Sequence, residues 1–279
     1  MAGTFSAAIE RDIVRASGPD TITYLQGQLS QDIAAIPVGG SAWSLLLQPT
    51  GKVDAWLRVA RLGDDDVQLD VDAGFGQAVL DRLKRFLLRT KCELELRAGI
   101  TGAAVRGTAV RGTAVRGASG DGLVVVWPGV DGYDVLDAAA DLPPVDQSAY
   151  ERLRIACGVP AMGAELTDDT IPAEAGQWLI DASVSFTKGC YTGQELVARI
   201  DSRGGRVPKP IRVIVVDGHA SVDDEVTVDG AVVGRLTSAT PSEDGTSTLA
   251  LAPIARSVEP PAGAEVGGSA AKVLTPPLP

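Results

Sequence analysis

Apolar positions change their period several times along the chain, and each change marks an element. Residues 5–15 alternate around Ile9, Ile13 and Val14 and predict a first strand. Gly18-Pro19-Asp20 is a turn and helix-start signal. Ile22, Leu25, Leu29 and Ile33 then recur at spacings of three and four, which predicts a helix over 21–33. Residues 41–48 and 53–61 read as strands joined by a Pro49-Thr50-Gly51-Lys52 hairpin, and 67–71 as a third strand. Residues 75–88 have the apolar stripe of an amphipathic helix.

Alternation returns at 91–97, 123–127 and 132–136, and residues 147–156 predict another helix. Residues 159–187 lack a period and read as long ordered loop, after which a glycine-rich turn opens a helix over 191–200. From Arg206 the texture becomes short strands at 211–216, 225–227, 231–236 and 247–251, separated by proline and glycine. That pattern predicts a small all-β module beginning near residues 203–210. A tandem AVRG-TAVRG-TAVRG over 104–117 has a period that fits neither helix nor solenoid. It reads as a repeat expansion lengthening a surface hairpin or loop, or as a basic arm made by Arg106, Arg111 and Arg116.

Composition narrows the classes. A chain of 279 residues that is 45% apolar and 22% charged is globular. A formal net charge of −11 argues against binding to nucleic acid or anionic membrane surfaces. No run of 18 apolar residues predicts a span, and the N-terminal residues do not read as a signal peptide. Cys92, Cys157 and Cys190 are widely spaced and fit a reducing, cytoplasmic compartment. With a single histidine, His219, a His/Cys zinc site has too few ligands, and no metal is expected. The run Asp64-Asp65-Asp66 reads as a solvated turn, and Cys92 and Cys157 as buried small residues.

The densest chemistry lies in FTKGCYTGQELVARIDSRGG, residues 186–205. Lys188 stands two residues before Cys190, and cationic neighbours lower a thiol's pKa. Gly189 and Gly193 flank Cys190 and Tyr191 and permit close approach of backbone to a ligand. Gln194 and Glu195 offer amide and carboxylate groups that suit a pterin edge. The same residues also describe a buried cysteine at a glycine turn, with Glu195 accepting amides at a helix start.

KGCYTGQE is similar to the signature of the YgfZ/IBA57 family, folate-binding relatives of the glycine-cleavage T-protein (GcvT). YLQGQLSQD at 24–32, Gly51-Lys52, ERLRIACGVP at 151–160 and IPAE at 171–174 resemble further segments of that family in the expected order. The resemblance implies an α+β, three-domain T-protein-like ring, a cloverleaf of antiparallel sheets and helices with a C-terminal β-barrel. Its lobes would be residues 1–40 plus 141–204, carrying the signature, then 41–140, then 205–279. It implies tetrahydrofolate, or a one-carbon-substituted folate, as cofactor. It implies client iron–sulfur enzymes or cluster-assembly proteins as partners of a monomer, with no nucleic acid and no membrane. Cys190 and Lys188 become catalytic candidates. Glu174, Gly189, Tyr191, Gln194 and Glu195 become cofactor-binding candidates. Arg199 and Arg203 either pair the folate tail or sit exposed beside Asp201 and Glu195, and Trp178 is a candidate to stack on the ring. T-proteins carry paired aspartates after the hairpin glycine, where this chain has Ala55 and Trp56, with Asp54 one position off. That departure argues against ordinary aminomethyl transfer, leaving folate-dependent aminomethyl- or methyltransferase activity as the alternative.

Overall fold

The computed structural model describes residues 5–107, 116–117, 120–121, 123–137 and 146–278. In chain order its elements are β1 (Phe5–Ser17), α1 (Thr21–Gln28), β2 (Ser41–Leu47), β3 (Val53–Arg61), β4 (Asp66–Asp72), α2 (Gly76–Lys84) and β5 (Glu93–Gly107). Next come β6 (Arg116–Gly117), β7 (Gly120–Asp121), β8 (Leu123–Val124), β9 (Asp131–Leu136) and α3 (Gln147–Ala156). A 3-10 turn (Pro172–Ala175), α4 (Gln177–Ser183) and α5 (Gln194–Ser202) follow. The last seven strands are β10 (Ile211–Asp217), β11 (Glu225–Val228), β12 (Ala231–Arg235), β13 (Ser238–Pro241), β14 (Ser247–Pro253), β15 (Ala262–Val266) and β16 (Ser269–Leu274).

One antiparallel sheet has the order β2-β3-β4-β1-β5-β9-β8. β1 lies inside it, paired with β4 and β5, so residues 5–17 share a sheet with strands from 41–136. No sheet boundary therefore falls between residues 40 and 41. One face of this sheet carries α1 and α2, packing Leu25, Leu29, Val79 and Leu83 against Ala55, Leu57, Val59 and Leu69. The other face carries Trp43, Trp56 and Trp127 and meets the 3-10 turn, α4 and α5 in a second core. The last seven strands form their own antiparallel sheet, order β12-β11-β15-β16-β10-β14-β13, around Ile214, Val216, Val226 and Val273. A bridge between Gly234 and Ile254 ties the β12 edge back to the end of β14 and curls the sheet toward a barrel. A Cβ at Gly234 would stand 2.5 Å from the Pro253 carbonyl oxygen, so glycine is needed at that seam. Buried Arg154 joins α3 to this sheet through Glu165 and the Ser238 hydroxyl.

The structure differs from the sequence reading where backbone and side-chain pattern part. α1 stops at Gln28 rather than continuing to Ile33, because Leu29 turns extended and bridges to Leu46. Gln26 Oε1 accepts the amides of Ile33 and Ala34 that the helix would have used, and Ile33 still reaches the core. The 159–187 stretch contains the 3-10 turn and α4, which are too short to show a period. Strand β5 runs ten residues past the 91–97 reading, whereas 123–127 is strand only at Leu123–Val124. Most of the tandem repeat lies outside the described residues. Arg106 within it is not part of an exposed arm: it is buried, paired to Asp134 at 2.8 Å and stacked 4.3 Å over Trp127.

Candidate functional site

The signature is a loop held from three sides. Lys188 Nζ donates to the carbonyls of Gln26, Leu29 and Gln31 at 2.6, 2.7 and 2.9 Å, filling all three donors of an ammonium. Those carbonyls are available because α1 ends there. Burial nevertheless pulls Lys188 down to about 8, with Asp32 opposing the shift. The Thr192 amide donates to the Gly27 carbonyl, and the Tyr191 amide to Gln194 Oε1. The Tyr191 ring packs against the core that holds Trp43 and Trp56, and burial pushes its hydroxyl up to about 12.

Gly193, in a left-handed conformation at φ 81°, lies against the β2–β3 hairpin. A Cβ there would stand 2.5 Å from the Gln48 carbonyl oxygen and 2.8 Å from Leu47 Cβ. Gly51, at φ 84°, faces it, and a Cβ at Gly51 would strike Leu196 and stand 2.9 Å from the Gly193 carbonyl oxygen. The two glycines therefore require each other, which ties the hairpin to the start of α5. Of the signature residues, Gly189, Cys190 and Glu195 are exposed; the other two thiols, Cys92 and Cys157, are buried, with burial raising Cys92 and pushing Cys157 to about 11.

The remaining residues singled out from the sequence are scattered. Glu174 accepts the backbone amides of Ile171 and Lys209, and burial is the main cause raising its pKa. Glu195, Arg199 and Arg203 are exposed on or just after α5. Trp178 stands edge-on to Trp56 with centroids 5.8 Å apart, its Nε1 buried without a hydrogen-bond partner. Asp54 is the extra residue of a bulge between β2 and β3 and pairs with Arg82 of α2 at 2.9 Å. His219 follows β10 and lies 3.3 Å from the Ser221 hydroxyl.

None of the ten candidate residues lines the large cavity of the molecule. That cavity, about 510 Å3, lies over the tryptophan-bearing face of the first sheet and beneath α3. Its walls include Trp43 and Trp56, stacked at 4.1 Å, and Trp127 with Tyr150 at 5.3 Å. Arg11, Asp72, Arg106, Asp134 and Arg154 supply charge. Its floor is a buried ladder: Arg11 pairs with Asp72 and with Asp70, Arg58 with Asp70 and Asp134, and Arg106 with Asp134. Beyond the ladder, on the same face, lies a second cavity of about 380 Å3 that shares Asp134. The sequence signal for this ladder was partial: Arg58 interrupts the apolar run of β3, but Asp70 and Asp72 lie on the regular polar face of the alternating β4, which reads as solvated.

No family model matches the chain. It is 28% identical over 249 residues, 83% of its length, to the "Iron-sulfur cluster assembly factor IBA57 homolog, mitochondrial" of Pyricularia oryzae, and covers 62% of that protein. It is 32% identical to the protein of the same name from Phaeosphaeria nodorum over 70% of this chain and 51% of that one. It is 29% identical to the "tRNA-modifying protein YgfZ" of Serratia proteamaculans over 69% of this chain and 65% of that one. The chain is a homologue of the YgfZ and IBA57 proteins. It spans less than two thirds of the length of each of these three relatives. The glycine cleavage system aminomethyltransferase T of Bartonella henselae superposes with a TM-score of 0.77, covering 98% of this chain and 86% of that one at 18% identity. This YgfZ/IBA57 homologue thus has the T-protein (GcvT-like) fold, as the signature resemblance implies. Among the described residues, no helix is long and apolar enough to cross a membrane.

Proposed function

We propose that this chain is a tetrahydrofolate-binding accessory protein that supports assembly or repair of iron–sulfur enzymes, with Cys190 at its functional surface. The observation that carries the reading is a large aromatic-walled cavity in a T-protein fold, in a chain whose signature cysteine is exposed although it does not line that cavity. The cavity falls within the roughly 300–1,000 Å3 of small-molecule sites. Its chemistry fits a folate: Trp43, Trp56 and Tyr150 offer faces to a flat ring, and Arg11, Arg106 and Arg154 offer guanidinium groups to carboxylates. Asp72 and Glu151 can accept ring N–H groups. A bound reduced folate would supply a one-carbon carrier. The protein's own part is to hold it, keep bulk water off the tryptophan wall and present Cys190 to a client. The names of the relatives, cluster assembly factors among them, agree with this role.

A second reading is transfer of an aminomethyl or methyl group to folate, as the T-protein fold permits. Against it, Trp56 fills the cavity face of the hairpin strand and Asp54 is engaged by Arg82.

Calorimetry with tetrahydrofolate tests the cofactor. Saturable binding should raise the unfolding free energy by about 2.7 kcal/mol at a hundredfold excess over Kd. No heat and no thermal shift would remove folate from the reading. Cys190→Ala should fold normally and fail to restore iron–sulfur enzyme activity in cells lacking the protein. Full restoration would remove the role of Cys190.

A further inference from the structure

In a chain of net charge −11, residues 82–91 (RLKRFLLRTK) hold five cations and no acid. Arg82 is buried and paired with Asp54. Lys84, Arg85, Arg89 and Lys91 are exposed and form no ion pair among the described residues. Between them stand two large apolar side chains in water, Leu88 at 86% exposure and Phe86 at 46%. Large exposed apolar groups beside cations that form no ion pair among the described residues mark a candidate interaction surface.

Buried contacts tie the patch to the signature loop. The Phe86 ring lies 4.4 Å from the Arg82 guanidinium, which donates to the Leu47 carbonyl at 3.0 Å. Leu47 is the residue against which Gly193 packs. Arg82 also reaches Gln28 Oε1 at 3.4 Å, one residue from the Gly27 carbonyl that holds Thr192. Phe186, four residues before Cys190, is also 51% exposed.

We propose that the end of α2 and the turn after it, residues 84–91, form a docking surface for an acidic protein segment with apolar side chains, which it delivers to Cys190. The inference rests on the reading of Cys190 as the functional thiol. A phosphate backbone would use the cations and leave Leu88 in water, whereas a polypeptide surface uses both. The overall negative charge repels any acidic partner at long range, so the patch acts at short range and favours one that also buries apolar area.

The test uses fluorescein-labelled peptides of alternating glutamate and leucine, with a glutamine-for-glutamate control, read by anisotropy. The acidic peptide should bind at least about tenfold more tightly than the control, and added salt should weaken it. The triple variant Lys84→Glu/Arg85→Glu/Lys91→Glu, checked by circular dichroism and Tm, should lose that preference. Leu88→Ser alone should weaken binding. Cys190→Ala should bind the peptide as the wild type does, which separates docking from the thiol's role. A peptide carrying a thionitrobenzoate mixed disulfide reports delivery: the Cys190 thiolate attacks the peptide sulfur, a protein–peptide disulfide forms and thionitrobenzoate leaves. Below saturation, this should run about tenfold faster for the acidic peptide than for the control, by raised effective concentration. Equal binding of the two peptides, binding untouched by the triple variant, or docking without faster trapping would overturn the proposal. So would tighter binding of transfer RNA or phosphatidylserine vesicles than of the acidic peptide, or self-association that the triple variant abolishes.

Discussion

Lys188 spends its three protons on the carbonyls of Gln26, Leu29 and Gln31, so its work is to fix the loop on which Cys190 stands. Burial lowers its pKa from 10.5 to about 8. The unfolded chain therefore holds the proton more tightly between those values, and this group's contribution to stability rises with pH across that window. Lys188→Met should lose that rise: the unfolding free energy of wild type minus variant should grow from pH 8 to 10. A difference that stays flat or falls would contradict the assignment. The thiols give a second residue-scale expectation. Cys190 is exposed, while Cys92 and Cys157 are buried and raised. Ellman's reagent should titrate one thiol in the native protein and three in denaturant, and Cys190→Ala should bring the native count to zero. Fast reaction of a second native thiol would refute this picture. The sequence exposed Cys190 and Lys188 as a pair, but not how the lysine acts: its acceptors lie about 160 positions away along the chain.

Among elements, the hairpin and α5 are locked by a pair of glycines that the signature and the hairpin each present separately. A side chain at Gly51 or Gly193 meets both a positive φ and a backbone oxygen within 3 Å. Gly51→Ala should therefore cost at least about 2 kcal/mol, combining strain with overpacking. Gly27 is the contrast: it sits in α1, and a Cβ there would enter open space with nothing within 4 Å. Gly27→Ala should stabilise by about 0.5–1 kcal/mol through helix propensity. Urea unfolding of the two variants checks both signs, and a stabilising Gly51→Ala would sink the glycine lock. Elements with dense apolar or β-branched runs, such as β2, β3 and β10, and the alternating β4 were legible within a residue or two. Strands β13, β15 and β16 were not, because alanine, glycine, serine and threonine give SATP, AGAEV and SAAKVL little contrast between faces. Their pairing is decided by neighbours in the sheet rather than by their own pattern.

At the scale of the molecule, the ladder from Asp72 to Arg106 crosses the concave face of the first sheet and separates its two cavities. The signature is legible in the sequence because its cysteine, glycines and Gln-Glu pair stand within eight residues and resemble a family motif. The ladder is assembled from β1, β3, β4, β5 and β9, and only the sheet order brings its members together. Three arginines face three aspartates, so the array is neutral as a whole and costly to break in part. Asp134 is its test point. Burial pushes its pKa up, but Arg106, Arg58 and Arg11 pull it further and leave it below the ordinary carboxylate value. The native state thus favours the carboxylate, and this stability is fully present above the ordinary carboxylate value and lost as pH falls from there through the lowered native one. Asp134→Asn keeps the shape, leaves Arg58 its Asp70 partner but strands the buried charge of Arg106, and should cost about 3–5 kcal/mol at pH 7. As the pH falls and the wild-type carboxyl takes up its proton, the gap between wild type and variant should narrow. Urea titrations at pH 7, 4 and 3 measure it. A gap independent of pH would mean that Asp134 acts through packing alone, and that the cavity floor is held by shape and not by charge.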